Sequence, residues 1–280
     1  MSNVPTEVFH YTKLQTAIEK ILLSKKIMFG QVGLTNDPRE TKEWFLHAWH
    51  HHDPQIPDDQ RHKIYSKRDE KLSGEGNRIR NQEWKVLCTS QHAPDYFNAN
   101  NRNSDNPFLR GDCRPKMWAY YGGNHAGVCL KLNGRKLTQR LFNEVEGKGK
   151  GKIYQGPVDY DDKKSTQLGS LEYLEIEKLG VREGVRKFCR DYHSKIFLVK
   201  SRDWRNEYEY RWLIHRPDTK NLPEYISIEG ILEGVLVGLD FPKVYKSLLS
   251  ELCKSLNVPA GEMVWHNGWL LPEYGSIYSP

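Results

Sequence analysis

The sequence predicts an α+β fold, one domain over residues 1–280 with a mostly antiparallel sheet flanked by helices. Short apolar segments bounded by Gly, Asn and Pro are typical of strands, and longer segments with apolar residues at helical spacing are typical of helices. The two kinds follow one another without the strict alternation of a parallel α/β protein. No internal repeat and no linker composition divides the chain.

In the first half of the chain, strands are predicted at 8–12, 26–29 and 86–90. A helix with regularly spaced apolar residues follows the first strand. A second helix is predicted to begin at Asn36-Asp37-Pro38, where a capping side chain precedes a proline, and to run on through Trp44 and Trp49. Residues 60–84 are predicted to form a polar helix or a mobile segment. The His-rich segment 47–62 and the Asn-rich loop 91–115 are interpreted as insertions in the domain.

The second half of the chain is predicted to alternate irregularly between short strands and helices. Helices are expected at 117–121, at 171–196 and after Pro242, the last with Val244, Tyr245, Leu248 and Leu249 inside. Strands are expected at 127–132, 153–154, 158–160, 206–216, 235–238 and 263–265.

The strand predicted at 206–216 carries the most informative pattern. Its alternation of apolar and charged residues indicates one apolar face and places Glu207, Glu209 and Arg211 on the other, roughly 7 Å apart. Two carboxylates this close are mutually unfavourable unless something bridges them, such as Arg211, a ligand or a reacting centre. The strand is therefore interpreted either as the wall of a site or as a solvated edge strand whose charges prevent aggregation.

Composition limits the classes of protein that fit. The chain has no apolar run near the roughly 20 residues that span a membrane and no signal peptide at its start, which predicts a cytoplasmic location. Five cysteines without a Cys-x-x-Cys pair favour neither a disulfide framework nor structural zinc. The formal charge of +6 permits a nucleic-acid partner. His47 and His51 have metal-ligand spacing on a helix, but solvated loop composition follows them, so no metal site is predicted.

Five motifs occur in order along nearly the whole chain. They are His10-Tyr11-Thr12, Asn36-Asp37-Pro38-x-Glu40, Cys88-x-Ser90, Met117-Trp118-x-x-Tyr121-x-x-x-His125-x-Gly127 and Lys200-x-x-x-Trp204-x-x-Glu207-x-Glu209-x-Arg211. Together they resemble the bacterial domain of unknown function 2971 family, some members of which are described as abortive phage-infection proteins. More distantly, the chain resembles an ADP-ribosyltransferase, with His-x-Thr on the first strand, an aromatic residue in the middle and Glu-x-Glu on a late strand.

The second resemblance implies a split, twisted sheet and NAD as the substrate. It implies that Glu209 stabilises the positive charge that develops on the ribose and that Glu207 orients or deprotonates the acceptor. Tyr121 would stack on the nicotinamide, with Tyr11 or Trp118 as alternatives. The residues expected to bind NAD are His10, Tyr11, Thr12, Asn36, Trp118, Tyr121 and Arg211.

Three functions remain open on the sequence. The first is an NAD-dependent ADP-ribosyltransferase, a toxin-like effector in antiphage defence that modifies nucleic acid or an associated protein and needs a neutralising antitoxin partner. The loop 91–115 would then recognise the acceptor. The second is a metal-dependent hydrolase or nuclease, and the third is a non-catalytic defence sensor or binding module in which Arg211 forms only a structural ion pair with Glu209. The hydrolase would use His10, Asp37, Glu40, Glu207 and Glu209.

Overall fold

The structure, a computed structural model, describes residues 4–51, 54–97, 106–165, 171–217 and 222–280. The strands of these residues are β1 (Glu7–Thr12), β2 (Lys26–Gln31), β3 (Ala48–Trp49), β4 (Trp84–Ser90), β5 (Val128–Asn133), β6 (Lys152–Pro157), β7 (Asp159–Tyr160), β8 (Leu171–Glu172), β9 (Val199–Lys200), β10 (Glu209–His215), β11 (Glu224–Ser227), β12 (Leu232–Val237), β13 (Ala260–His266) and β14 (Trp269–Tyr278).

The helices of the same residues are shorter on average than the sequence predicts. The α-helices are α1 (Pro38–Thr41), α2 (Asp58–Glu83), α3 (Pro115–Tyr120), α4 (Gly134–Leu141), α5 (Asp162–Ser165), α6 (Tyr173–Leu179), α7 (Val181–Asp191), α8 (His193–Phe197) and α9 (Lys246–Leu256). Two π-helical segments occupy Thr16–Leu22 and Phe142–Glu146. Short 3-10 helices occupy Val32–Leu34, Pro94–Phe97, Pro107–Leu109, Arg202–Glu207 and Lys243–Tyr245.

Ten of the strands form one mixed, mostly antiparallel sheet, which confirms the predicted α+β class. Its order is β11-β2-β4-β1-β5-β12-β13-β14, and β10 pairs with β4 on one side and β6 on the other. Within this sheet β12 and β13 are parallel, and the other pairs of described strands are antiparallel. The two-stranded pairs β3–β8 and β7–β9 are also parallel.

The sheet divides at β4. Strand β10 pairs with β4 along all seven of its residues, from Glu209–Ser90 to His215–Trp84. The opposite side of β4 is shared, because β2 pairs with its first residues and β1 meets it only at Phe9–Ser90. The half of the sheet that begins with β1 is thus joined by strand pairing to the β4–β10 half only through the pair Phe9–Ser90. Beyond this pair, the backbones of β1 and β4 are not paired and a gap can open between them.

Hydrophobic cores cover the two faces of the sheet differently. One face carries a single large core, to which alternate residues such as Val8, Leu87 and Trp212 contribute. The other face carries two separate cores, one including Leu213 under α2 and α7 and one including Phe9 beside α3. The boundary between these two cores lies on the face where β1 and β4 diverge.

Strand β10 differs from its predicted form in two respects. All seven of its residues are buried and it lies between β4 and β6, so the interpretation as a solvated edge strand is wrong. Glu207 is not part of the strand, because it ends the 3-10 helix Arg202–Glu207 and Tyr208 follows it in the left-handed region at φ 46°. This turn breaks the predicted alternation between Glu207 and Glu209.

The aromatic helix predicted through Trp44 and Trp49 is also absent, and the described chain there is extended after α1. Its backbone groups bind side chains of α2 instead, with Trp44 N–H donating to Asn77 Oδ1 at 3.0 Å and Leu46 N–H to Ser73 Oγ at 2.8 Å. Ala48 N–H likewise donates to Asp69 Oδ1 at 3.1 Å. Residues 69, 73 and 77 are four apart and share one helix face, so this row of short polar side chains replaces the helical hydrogen bonds.

Three further predictions need correction. The helix after the first strand is π-helical, and no side chain caps it. The helix after Pro242 buries Leu249 but leaves Val244 81% exposed and Leu248 42% exposed. The final strand is longer than predicted and pairs with β14, which the sequence reading missed. Of the loop 91–115, residues 98–105 lie outside the described residues, and the remainder contains two short 3-10 helices.

Candidate active site

A cavity of about 250 Å³ lies where the sheet divides. Strands β1, β4 and β10 supply part of its wall, and the segment before α1, the helix α3 and the end of β9 supply the rest. Its lining residues are Phe9, His10, Tyr11, Leu34, Thr35, Asn36, Cys88, Thr89, Met117, Tyr121, Lys200, Glu207, Glu209 and Arg211. The structure therefore brings the start of the chain and the Glu-x-Glu motif to one place, with β4 lying between β1 and β10.

Lys200 joins the two glutamates. Its Nζ lies 2.9 Å from Glu207 Oε2 and 2.8 Å from Glu209 Oε2, and all three side chains are at least nine-tenths buried. Lys200 is the last residue of the buried strand β9. Arg39 Nη1 donates to the carbonyls of Ile196 in α8 and Val199 in β9, so the backbone just before Lys200 is held in place. The repulsion expected between the two carboxylates is thus relieved by one shared cation.

Arg211 holds Glu209 from the other side. Its Nε and Nη2 donate to the two carboxylate oxygens of Glu209 at 2.7 and 3.0 Å, the paired geometry that Arg favours. Its Nη1 donates to the carbonyl of Phe197 at 2.6 Å and forms an ion pair with Glu40. Glu40 is 1% exposed in α1, so the motif that begins at Asn36 contributes a third carboxylate to the cluster.

The two glutamates differ in pKa. Burial alone would raise the pKa of Glu209, but Arg211 and Lys200 lower it to about 2, so this carboxylate is ionised. The pKa of Glu207 is raised, mainly by burial, because the nearby Lys200 offsets only part of that effect and Glu209 adds to it. A pair of carboxyl groups whose pKa values move apart in this way can divide the roles of fixed charge and proton carrier.

A separate set of contacts fixes Glu207. The hydroxyl of Tyr121, at the end of α3, donates to Glu207 Oε1 at 2.5 Å. Ser90 Oγ and Arg114 Nη1 both donate to the Glu207 carbonyl, at 2.6 and 3.0 Å. The guanidinium of Arg114 also lies 4.4 Å above the ring of Tyr208, the residue in the left-handed turn. The turn that separates Glu207 from β10 is therefore held from both strand β4 and the segment before α3.

A second cavity, of about 460 Å³, adjoins the first. It lies between α3 and the 3-10 helix Arg202–Glu207, and its lining residues are Asn36, Lys116, Met117, Tyr120, Tyr121, Asp203, Trp204, Asn206 and Glu207. Four residues line both cavities, namely Asn36, Met117, Tyr121 and Glu207, whereas Glu209 lines the first and not the second. Glu207 thus stands at the boundary between two spaces.

Most residues predicted to bind NAD lie at the first cavity. His10 Nδ1 donates to the Cys88 carbonyl at 3.0 Å, which fixes the proton on that nitrogen because a carbonyl can only accept. Burial lowers the pKa of His10, so its ring is neutral and its Nε2 is an acceptor. The Tyr11 hydroxyl is occupied by the Gly111 carbonyl at 2.6 Å, and Asn36 is exposed at the junction of both cavities.

Two predicted residues lie away from this space. Thr12 is buried at the end of β1, and Trp118 is fully buried with its Nε1 donating to the Asp112 carbonyl at 2.9 Å. Neither is among the described residues that line the two cavities. Trp118 packs at right angles to Tyr11, with ring centroids 5.2 Å apart, so it supports the first strand from behind.

Sequence reasoning assigned no role to several residues of the site. Lys200 could have been found, because it begins the same motif that contains Glu207, Glu209 and Arg211. Thr35 lines the first cavity with a buried Oγ1 that has no hydrogen-bond partner in the described part of the chain. Nothing in the sequence distinguishes Arg114 from other arginines, since its contacts depend on the tertiary fold.

The described residues of the His-rich segment line neither of these two cavities. His47 and His50 both contact Asp69 of α2, at 3.1 and 2.9 Å, and His51 contacts Glu172 at 3.2 Å. His52 and Asp53 lie outside the described residues. Across the described ranges, no group of three or more His, Cys, Asp or Glu side chains is placed to hold a metal ion. Of the described helices, none is both long and apolar enough to cross a bilayer.

Comparisons with known proteins give one match. No curated protein and no solved structure matches the chain. Residues 117–212 match the model of the family described as "Protein of unknown function (DUF2971)". This segment runs from α3 into β10 and contains Tyr121, Lys200 and both glutamates of the site. The match supports the resemblance to the domain of unknown function 2971 family for the part of the chain that supplies six of the fourteen residues lining the first cavity.

Proposed function

We propose that the protein is an NAD-dependent ADP-ribosyltransferase that transfers ADP-ribose to nucleic acid or to an associated protein. One observation carries the proposal. Glu207 and Glu209 share Lys200 on the wall of a cavity that His10 also lines, and the pKa values of the two carboxyl groups move in opposite directions.

The charge of the site suits a reaction that develops positive charge. Cleavage of the bond between ribose and nicotinamide makes the ribose cationic, and a fixed carboxylate stabilises that state more than the ground state. Glu209 is held rigidly by Arg211 and Lys200, which keeps it ionised. Glu40 and Glu207 place two further carboxyl groups beside the same two cations.

The first cavity offers hydrogen-bonding groups for a ribose. His10 presents an acceptor nitrogen that makes no hydrogen bond among the described residues. The buried hydroxyl of Thr35 lacks a partner there as well, and a ligand hydroxyl would satisfy it. A volume of about 250 Å³ accommodates the nicotinamide and its ribose rather than the whole dinucleotide. The aromatic ring of Tyr121 at the mouth is available for stacking on the nicotinamide.

The two glutamates then have separate tasks. Nicotinamide leaves as a neutral molecule from a cationic precursor, so no acid is needed and one carboxylate suffices at the ribose, in contrast to the pair that glycosidases use. Glu207, with its raised pKa, is suited to accept the proton of the incoming acceptor. Its position at the boundary of the two cavities places it between the ribose and a second substrate.

Nicotinamide release from labelled NAD tests the proposal. We expect release and label transfer by the wild-type protein, and a loss of about 100-fold or more in Glu209→Gln, because the charge that stabilises the transition state is removed. Glu229→Gln is the matched control, since this glutamate is exposed and pairs only at the surface with Lys25. RNA, DNA and protein are supplied as separate acceptors.

The same assay separates the alternatives. Hydrolysis of nucleic acid that stops in EDTA and needs no NAD would favour the metal-dependent enzyme. Absence of nicotinamide release together with absence of NAD binding would contradict the transferase and leave a binding module. A toxin-like role in defence predicts that expression of the wild-type chain, but not Glu209→Gln, lowers cellular NAD and arrests growth unless an antitoxin partner is present.

A further inference from the structure

The second cavity has a lining unlike that of the first. Tyr120 is 69% exposed on α3, and Trp204 faces the same space from the 3-10 helix Arg202–Glu207. Polar and charged groups stand beside these rings, namely Asn206, Asp203 and Lys116. An exposed aromatic ring beside a cavity has apolar area that water covers poorly, and a planar ligand can cover it.

We propose that this cavity is the acceptor site and that it takes a nucleobase of single-stranded nucleic acid. The inference rests on the proposed function for the identity of the other substrate. Bases stack on Tyr and Trp rings whatever their sequence, which is how single-stranded nucleic acids are commonly held. The amide of Asn206 and the carboxylate of Asp203 can read the hydrogen-bonding edge of a base.

Cations surround the cavity where a nucleic-acid backbone would pass. Lys116 lines it, and Arg202 and Arg205 are exposed on the helix that forms its other side. Arg202 Nε lies 3.8 Å from Asp162 Oδ2 and the Arg202 side chain is 64% exposed, so phosphate can reach it. Lys and Arg side chains of this kind supply the salt-dependent part of nucleic-acid affinity. The formal charge of +6 on the whole chain acts in the same direction.

The base has to be unpaired. Glu207 lies at the inner boundary of the cavity and is only 8% exposed, so a reacting atom must enter the cavity to approach it. A base stacked and paired within a duplex cannot do so without leaving the helix. The volume of about 460 Å³ is within the range of ligand sites and is sufficient for a nucleotide.

The transfer step follows from this placement. The bond between C1 of the nicotinamide-bearing ribose of NAD and the nicotinamide nitrogen breaks, and its electron pair stays on nicotinamide. A nitrogen or oxygen of the acceptor base forms the new bond to the same carbon. The proton that the acceptor loses passes to Glu207 and then to solvent. NAD supplies the ADP-ribose group, so no oxidant or reductant is involved.

Tyr120→Ala is the most direct test, because Tyr120 has no recorded contact with the glutamates or Lys200. Label transfer from NAD to a single-stranded oligonucleotide is measured beside nicotinamide release in the absence of acceptor. We expect the ratio of transfer to release to fall about tenfold or more, the loss typical when one stacking ring is removed. Tyr225→Ala is the matched control, since Tyr225 is 52% exposed on β11 and lines neither cavity; its ratio should equal that of the wild type.

A binding measurement keeps the inference testable apart from catalysis. Fluorescence anisotropy of a labelled single-stranded oligonucleotide is recorded for the wild type, Tyr120→Ala and Lys116→Glu, with a duplex of the same sequence for comparison. We expect tighter binding of the single strand, a weaker complex in both variants and a smaller salt dependence for Lys116→Glu. Lys148→Glu in the loop before β6 is the charge-matched control.

Three results would overturn the inference. Equal binding of the oligonucleotide by the wild type and Tyr120→Ala would show that the cavity holds no base. A KM for NAD that rises in Tyr120→Ala as steeply as transfer falls would assign the cavity to the adenosine half of NAD. Exclusive labelling of protein would assign it to a peptide. If the wild type releases no nicotinamide, the proposed function fails, whereas Tyr120-dependent binding of the single strand would still identify a nucleobase site.

Discussion

Among the described residues, two buried clusters of glutamates and basic residues differ in what surrounds their carboxyl groups. The site cluster is Glu40, Lys200, Glu207, Glu209 and Arg211, and the scaffold cluster is Arg78, Glu83, Arg186 and His215. In the scaffold cluster the guanidinium groups of Arg78 and Arg186 both donate to Glu83, and each also pairs with a second glutamate, Glu75 or Glu183. In the site cluster Glu207 and Glu209 share the single ammonium group of Lys200, and Arg211 pairs with Glu209 and Glu40.

These different surroundings give the carboxyl groups of Glu83 and Glu207 different pKa values. Glu83 accepts two hydrogen bonds of 2.9 Å from Arg186 and one of 3.1 Å from Arg78, and its pKa is lowered to about 2, since these partners and His215 outweigh the effect of burial. It is 0% exposed and lines no cavity among those found in the described residues. Glu207 has fewer cations and a raised pKa, and it faces two cavities. A carboxyl group that lines a cavity can contact a substrate, whereas one that is enclosed by cations and lines no cavity can only support the fold.

The sharpest test of this contrast is a pair of glutamine variants. Glu83→Gln should lower the free energy of unfolding by about 3–5 kcal/mol, because the buried guanidinium of Arg186 loses the carboxylate that accepts its two hydrogen bonds of 2.9 Å. Glu207→Gln should lower it by no more than about 1 kcal/mol, because Lys200 keeps Glu209 and the ionised form of Glu207 is already disfavoured by burial. Urea denaturation at pH 7.5 measures both. Equal losses in the two variants would remove the distinction between the clusters.

The pH dependence of stability should have opposite signs in the two clusters. The pKa of Glu83 falls from its ordinary 4.5 to about 2 on folding, so its contribution, about 3 kcal/mol, is fully present above pH 4.5 and is lost as the pH falls toward 2. The raised pKa of Glu207 acts in reverse, and its contribution is present below the ordinary glutamate pKa and lost as the pH rises through the raised one.

Urea midpoints between pH 3 and 8 check these signs. The stability difference between the wild type and Glu83→Gln should shrink as the pH falls below about 4.5. The stability of Glu207→Gln relative to the wild type should instead improve as the pH rises. The control is Glu229→Gln, whose difference should stay flat because this glutamate is exposed. A Glu207→Gln curve with the same slope as that of Glu83→Gln would show that both carboxylates are stabilised by their cations.

Local patterns were sufficient to predict much of the fold. The strands β1, β4, β5 and β12 and the polar helix α2 were predicted near their observed positions, because each carries a clear period or composition. Residues 44–49 were assigned wrongly, since their backbone groups are satisfied by the Asp69, Ser73 and Asn77 side chains of a helix that comes later in the chain. Contacts of this kind leave no local signal.

The candidate site was also predicted only in part, because some of its contacts leave no local signal in the sequence. The Glu-x-Glu spacing indicated two interacting carboxylates, and the structure places both at one cavity with His10. The alternation did not indicate that Tyr208 turns into the left-handed region, because only contacts with Arg114 and the neighbouring strand hold it there. Nor could it indicate that Lys200 comes between the two carboxylates, since that depends on the packing of β9 beside them.

Tyr121→Phe should produce the smallest effect and the most specific one. The variant keeps the ring and removes the hydroxyl that donates to Glu207 at 2.5 Å, a bond that favours the ionised carboxylate. The pKa of Glu207 should therefore rise further, with a loss of stability of about 1 kcal/mol or less because Tyr121 is partly exposed.

If Glu207 accepts a proton during transfer, the acid limb of the transfer rate against pH should move to higher pH in Tyr121→Phe. The KM for NAD should stay unchanged if only the ring stacks on nicotinamide. The scaffold cluster has no hydroxyl donor to its glutamate among the described contacts, so the urea midpoint of Tyr121→Phe should keep the wild-type dependence on pH below 4.5. A pH profile of transfer that does not move would assign proton acceptance to a group other than Glu207, and the raised pKa of that carboxyl would then be a result of burial alone.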